Sequence, residues 1–286
     1  MPRIAYVNGR YTAHADAAVH IEDRGYQFAD GVYEVCEISR GYIVDSTRHL
    51  ERLDRSLREL KIASPMNRQP LLAVVREVIR RNLVENGLVY LQVTRGVAPR
   101  DHAFPLDAKP SLVVTAKRID PEGNLKRAAT GIKVITVPES RWERVDIKSV
   151  GLLPNVLAKQ QAKESGAQEA WFVDPDNTVK EGASTNAWIV THDGALVTRP
   201  ADTGILRGVT RTTVVDLAAK LGLSVEERPF TVEEAYSARE AFITAATTLV
   251  MPVVAIDGRP VSNGHPGSIA SSLREAFFDI AEKIKA

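Results

Sequence analysis

A two-domain fold that mixes helices and strands, α/β or α+β, is what this sequence predicts. Three observations carry the expectation. Apolar residues at helical spacing alternate along the chain with short β-rich runs bounded by turn residues. The chain has 286 residues, enough for two modest domains and a sizeable core. The polar stretch Ile119-Asp120-Pro121-Glu122-Gly123-Asn124 reads as a linker. The expected division is a smaller N-terminal domain over 1–118, the linker at 119–124, and a larger C-terminal domain over 125–286.

The elements follow in order. Residues 4–7 and 10–12 flank Asn8-Gly9, a strong hairpin signal. Residues 31–38 and 42–44 flank Ser39-Arg40-Gly41, a second hairpin. Leu50, Leu53, Leu57 and Leu60 fall at helical spacing within 46–60. Pro70 opens another helix that runs to about residue 86, with Leu71, Val74, Val75, Val78 and Ile79 inward. Residues 88–97 and 110–116 are β-rich, separated by a loop bearing prolines. Beyond the linker, 131–137 reads as a strand, 155–165 as a helix and 169–173 as a strand ending in a turn. Residues 187–190 and 195–197 flank the turn His192-Asp193-Gly194. A helix from Thr210, a short helix over 232–236, strands at 241–243 and 250–256, and a helix over 268–284 complete the chain.

Composition bounds the function. The formal net charge is +1, so bulk electrostatics suggest neither a nucleic-acid nor a membrane partner. Cys36 is the single cysteine, which excludes an intramolecular disulfide; its place in an alternating run suits a small buried residue. The N-terminus lacks the apolar stretch of a signal peptide, and no run reaches membrane-spanning length, so a cytoplasmic protein is expected. No Cys/His cluster suggests a metal site, and His14, His20, His192 and His265 read as surface or turn residues.

Four motifs bear chemistry. Lys148 lies in the strand-like run Asp146-Ile147-Lys148-Ser149. Burial lowers a lysine pKa and leaves a neutral amine able to form a Schiff base with an aldehyde cofactor. Glu181, in the turn-like Val179-Lys180-Glu181-Gly182, is a carboxylate that could keep such a cofactor's ring nitrogen protonated. Alone, it would be a turn residue. Gly204-Ile205-Leu206-Arg207-Gly208-Val209-Thr210-Arg211 leads into an apolar periodic run, the pattern of a helix whose first N–H groups bind phosphate or simply of a capped helix. Thr244-Ala245-Ala246-Thr247-Thr248 follows a strand with small residues that permit close approach of a ligand.

Further motifs stand at Glu22-Asp23-Arg24-Gly25-Tyr26-Gln27-Phe28-Ala29-Asp30-Gly31-Val32-Tyr33-Glu34-Val35, His49-Leu50-Glu51-Arg52-Leu53, Gln92-Val93-Thr94-Arg95-Gly96 and Pro99-Arg100-Asp101-His102-Ala103-Phe104-Pro105. With the four above, they make the chain resemble the fold-type IV pyridoxal-phosphate enzymes over almost its whole length. Within these it most resembles the D-amino-acid aminotransferases, chiefly through residues 99–105.

The resemblance implies pyridoxal 5′-phosphate as cofactor, bound mainly by the C-terminal domain and held by Lys148 as a Schiff base. The freed Lys148 amine would then move a proton between the substrate α-carbon and the cofactor C4′. Glu181 would meet the pyridine nitrogen, Leu206 would pack on the ring, and Arg52, Val209 and Thr210 would hold the phosphate. Only the resemblance selects Arg52, since Arg48 and Arg55 are equally basic neighbours. Ala246 and Thr247 are expected at the phosphate too, but Ala246 stands where relatives often carry a hydroxyl, and Leu249 replaces a frequent glutamate. Tyr33, Arg100 and His102 would bind the substrate carboxylate, the last two reaching across a homodimer interface into the partner subunit's site. The implied reaction is transamination between D-amino acids, such as D-alanine and D-glutamate, and pyruvate or 2-oxoglutarate. Alternatives within the resemblance are branched-chain L-amino-acid aminotransferase, R-selective amine transaminase and, more remotely, aminodeoxychorismate lyase.

Overall fold

The structure, a computed structural model, describes residues 3–286. They group into two compact units: 3–121 with 147–151 and 282–286, and 122–146 with 152–281. The elements up to the first boundary are β1 (Ile4–Val7), β2 (Arg10–Ala13), α1 (Arg24–Phe28), β3 (Gly31–Ser39), β4 (Tyr42–Val44), α2 (Ser46–Glu59), α3 (Arg68–Arg81), β5 (Gly87–Thr94) and β6 (Ser111–Arg118). Next come α4 (Pro121–Thr130), β7 (Ile132–Pro138), α5 (Leu153–Glu164), β8 (Glu169–Val173), β9 (Val179–Gly182), β10 (Asn186–Val190) and β11 (Leu196–Thr198). Then follow α6 (Val209–Lys220), β12 (Val225–Glu227), α7 (Val232–Ser237), β13 (Glu240–Ala245), β14 (Leu249–Ile256), β15 (Arg259–Pro260), α8 (Ser268–Ile280) and β16 (Lys283–Lys285). This mixture of helices and two sheets is the α/β (α+β) class expected.

In the first unit, a seven-stranded sheet runs β16-β4-β3-β5-β6-β1-β2 among the described residues. Val32, Glu34, Cys36 and Ile38 share the buried parity of β3. Leu50, Leu53 and Leu57 of α2 and Leu71, Val75, Val78 and Ile79 of α3 join that core. α3 stops at Arg81, short of the expected residue 86. Leu83 takes a left-handed φ of 50°, the Val84 N–H donates back to Ile79 O, and the Asn82 amide donates to Val78 O and Ile4 O. The last helix also ends early, at Ile280. Residues 283–285 instead pair with the edge of β4, where Ile284 packs on the core.

In the second unit, β12-β11-β10-β13-β14-β7-β8-β9 form one sheet, with β15 beside β14. β14 is buried along its whole length, as expected of a central strand covered on both faces. Several elements were not expected in either unit, α4, β9 and α1 among them. The polar stretch read as a linker passes into α4 from Pro121, a residue suited to a helix start. Residues 179–182, read as a turn, pair with β8 across a register irregularity. α1 is a single short helix capped by the Asp23 carboxylate on Gly25 N and ended by Ala29 at φ 55°. No helix among the described residues is long and apolar enough to cross a membrane.

Candidate active site

Lys148 belongs to no named strand. Its segment lies antiparallel beside the start of β3, with Ser149 opposite Val32. Tyr33 N donates to Lys148 O and Val150 N to Gly31 O, each at 3.0 Å. Ile147 is buried in the first unit's core, and Ser149 N donates to Ile147 O at 2.7 Å, which closes a tight turn with Lys148 at its middle. Lys148 Nζ lies 4.2 Å from the centre of the Tyr33 ring, half-buried, while its N–H donates to Ser56 Oγ at 3.3 Å. Tyr33 stacks on Tyr90 at 5.7 Å between centroids. Burial, then proximity to Tyr33, pushes the Tyr90 phenol up to about 12. Tyr90 is therefore a neutral donor, and it bonds Gln92 Oε1 at 2.7 Å.

Arg52 has a partner to which no motif assigned a role. Its Nε and Nη2 donate to the two oxygens of Glu34 at 2.7 and 2.8 Å, and His49 Nδ1 lies 2.7 Å from Glu34 Oε2. Burial would raise the Glu34 carboxyl; Arg52 and then His49 outweigh it and hold the group well below the ordinary range. Arg52 is thus fixed at one edge by the Glu34 carboxylate.

Arg100 and His102 are exposed, and both rest on one ring. The Arg100 guanidinium lies 4.6 Å from the Phe28 centroid, and the His102 ring lies 5.4 Å from it.

In the second unit Glu181 is buried on β9. It accepts from Arg141 Nη1 at 2.6 Å, Asn186 Nδ2 at 3.1 Å and the Leu206 N–H at 3.1–3.2 Å. Arg141 also grips Glu139 through Nε and Nη2. Asn186 is the centre of this arrangement. It donates to Leu206 O at 2.9 Å, and its backbone stands opposite Thr244 on β13. Two expected phosphate elements therefore start from its neighbours. Val209 and Thr210, both buried, open α6, whose N-terminus no side chain caps. A Cβ on Gly208 would run into Asn186 Oδ1, so glycine is required for this approach. Ala246 and Thr247 lie in the turn after β13, half-buried and exposed respectively. In the same turn Thr248 Oγ1 is buried without a hydrogen-bond partner.

Glu34, His49, Arg141 and Asn186 escaped sequence reasoning. A signal existed for Glu34: it is a carboxylate at an inward position of an alternating strand, facing a basic helix, and buried charges are paired. None existed for Arg141 or Asn186, whose roles depend on which strand ends adjoin.

Residues 31–256 match the amino-transferase class IV family. A D-alanine aminotransferase of Staphylococcus haemolyticus is 39% identical over 274 residues, covering 95% of this chain and 95% of that protein. One of Bacillus licheniformis is 39% identical over 270 residues, covering 94% of each. A branched-chain amino acid aminotransferase of T.th., solved with pyridoxamine 5′-phosphate, has a TM-score of 0.89 at 25% identity over 98% of this chain and 94% of that one. A match spanning β3 to β14, and relatives alike end to end, leave one conclusion: the chain belongs to the amino-transferase class IV family.

Proposed function

We propose that this protein transaminates D-amino acids, such as D-alanine and D-glutamate, and 2-oxo acids, such as pyruvate and 2-oxoglutarate, with pyridoxal 5′-phosphate as cofactor. The observation that carries the reading is the buried Glu181 carboxylate, held by Arg141, Asn186 and the Leu206 N–H three residues before α6. Pyridoxal phosphate presents an anion at one end and a basic ring nitrogen at the other. Within a few residues, this unit offers a carboxylate for the nitrogen and an uncapped helix N-terminus for the anion, so the donor set fits. When bound, the cofactor supplies an electron sink for charge developing at the substrate α-carbon.

The remaining chemistry is assigned to side chains of this chain. Lys148 would hold the cofactor through Nζ, and its amine would carry the proton to and from the substrate α-carbon. Glu181 keeps the ring nitrogen protonated. Arg52, oriented by Glu34, binds phosphate with the amides of Val209, Thr210, Ala246 and Thr247, while Thr248 offers the hydroxyl that Ala246 lacks. Leu206 would pack against the ring. Tyr33, Arg100 and His102 bind the substrate carboxylate. The relatives at 39% identity over nearly the full chain are D-alanine aminotransferases, which favours D-amino acids over the branched-chain alternative. A homodimer, in which Arg100 and His102 of each copy serve the other's site, follows from the same resemblance. A cytoplasmic setting is proposed on composition alone.

The test is a coupled assay of the purified holoenzyme with D-alanine, L-alanine and L-leucine, each against 2-oxoglutarate. D-alanine should turn over fastest. Preference for L-leucine would replace this reading with the branched-chain one.

A further inference from the structure

Arg24, Phe28 and Asp30 belong to a motif that none of these roles absorbs. Arg24 is 3% exposed, unusual for an arginine. Its Nε donates to Asp30 Oδ2 at 2.8 Å, Nη1 to Asp101 O at 2.5 Å and Nη2 to His102 O at 3.3 Å. One buried guanidinium thus holds two successive carbonyls of the exposed loop that carries Arg100 and His102. The far side of Asp30 is fixed as well: Arg95 donates to it through Nε at 2.7 Å and Nη2 at 3.0 Å. Arg95 also donates to Lys61 O and Leu60 O, and its guanidinium lies 3.6 Å from the Phe104 ring centre. Burial would raise the Asp30 carboxyl, and the hydrogen bonds from Arg95 and Arg24 outweigh that and hold it low. Phe28 completes the clamp, its ring 4.8 Å from the Arg24 guanidinium while it carries Arg100 and His102.

An exposed loop samples many conformers, and ordering long side chains on substrate binding costs entropy. A loop pinned through its carbonyls by a buried, ion-paired fork has met that cost during folding. Lysine could not replace arginine here, because a single ammonium does not span three acceptors in a plane.

We propose that Arg24, locked by Asp30, and Phe28 are positioning residues that present Arg100 and His102 to the substrate carboxylate and thereby set substrate affinity. This rests on the reading of Arg100 and His102 as the carboxylate-binding pair. The experiment is a mutant cycle on the holoenzyme, reading KM and kcat for D-alanine. Arg24→Lys and Phe28→Leu are each made in wild type and in a background carrying Arg100→Ala and His102→Ala. Arg24→Lys should raise KM roughly tenfold with kcat changed far less, since a small misplacement of a binding group is costly. In the background lacking the pair, the same substitution should change KM less than about twofold, because its route is gone. An equal rise in both backgrounds, or an unchanged KM in wild type, would overturn the proposal while the carboxylate reading stands. A background whose own KM is unchanged would instead remove the carboxylate reading, and this proposal with it. If Arg24→Lys gives no cooperative thermal transition, Phe28→Leu decides by the same comparison.

Discussion

Lys148 Nζ faces the Tyr33 ring from the middle of a tight turn, closed by Ser149 N on Ile147 O beside the buried Ile147 side chain. Lys148→Ala is expected to lower transamination by several orders of magnitude while leaving the thermal midpoint close to wild type, since the side chain is only half-buried. A variant that keeps near-normal D-alanine turnover would take the amine out of the reaction. Glu181→Gln should retain the cofactor, seen by its absorbance, yet slow the half-reaction with D-alanine roughly a hundredfold, the usual loss when a preorganised charge is removed. Unchanged single-turnover rates would assign the ring nitrogen to another group. Glu34→Gln leaves Arg52 buried against a neutral amide and should cost about 3–5 kcal/mol in urea unfolding, as broken buried pairs do. Its pH signature has a definite sign. The folded Glu34 carboxyl titrates below its ordinary value of 4.5, so the unfolded chain binds the proton first as pH falls. The stabilisation is complete above that value and is lost as pH falls toward the folded one. Wild-type urea midpoints should therefore drop from about pH 5 to about pH 3, and those of Glu34→Gln should drop less steeply.

The start of α6 shows the same logic in a whole element. Gly208 lets the helix begin against Asn186, and Asn186 ties Glu181 to Leu206. Gly208→Ala is expected to push the Asn186 side chain aside and weaken cofactor binding roughly tenfold or more, as displaced supporting groups do. Fluorescence or absorbance titration of the apoenzyme reads it; undiminished affinity would detach α6 from the phosphate. Elements of this kind differ in how well sequence discloses them. α2 was legible because Leu50, Leu53 and Leu57 repeat at helical spacing, and β4 because a turn and an apolar run bound it. α1 spans five residues, too few to show a period. β9 carries Lys180 and Glu181 in mid-strand and reads as a turn. Its strand state comes from pairing with β8, a long-range choice that outweighs local preference.

For the assembled protein, the proposed homodimer predicts complementation. Lys148→Ala lacks the amine and Arg100→Ala the carboxylate contact. If Arg100 serves the other copy's site, a heterodimer of the two variants regains one complete site. Mixing them, with subunit exchange, should restore D-alanine turnover at low substrate concentration, while either variant alone stays impaired. Activity equal to the sum of the separate proteins would confine each Arg100 to its own copy's site, or leave the chain a monomer.

The family, the mixed architecture and the candidate residues Lys148, Glu181, Arg100 and His102 could all be read before any folding was considered, because short motifs and periodicity are local properties. Which charges meet could not. Arg52 pairs with Glu34, 18 positions away; Arg24 holds carbonyls 77 and 78 positions along; Arg141 reaches Glu181 across 40. Residues 147–151 and 282–286 join the first unit for a related reason, since unpaired backbone groups along β3 and β4 find partners there. One physical cause underlies all of these. A buried charge or an open strand edge demands a partner, but sequence states only the demand, and the partner is whichever group the packed chain brings within hydrogen-bond reach.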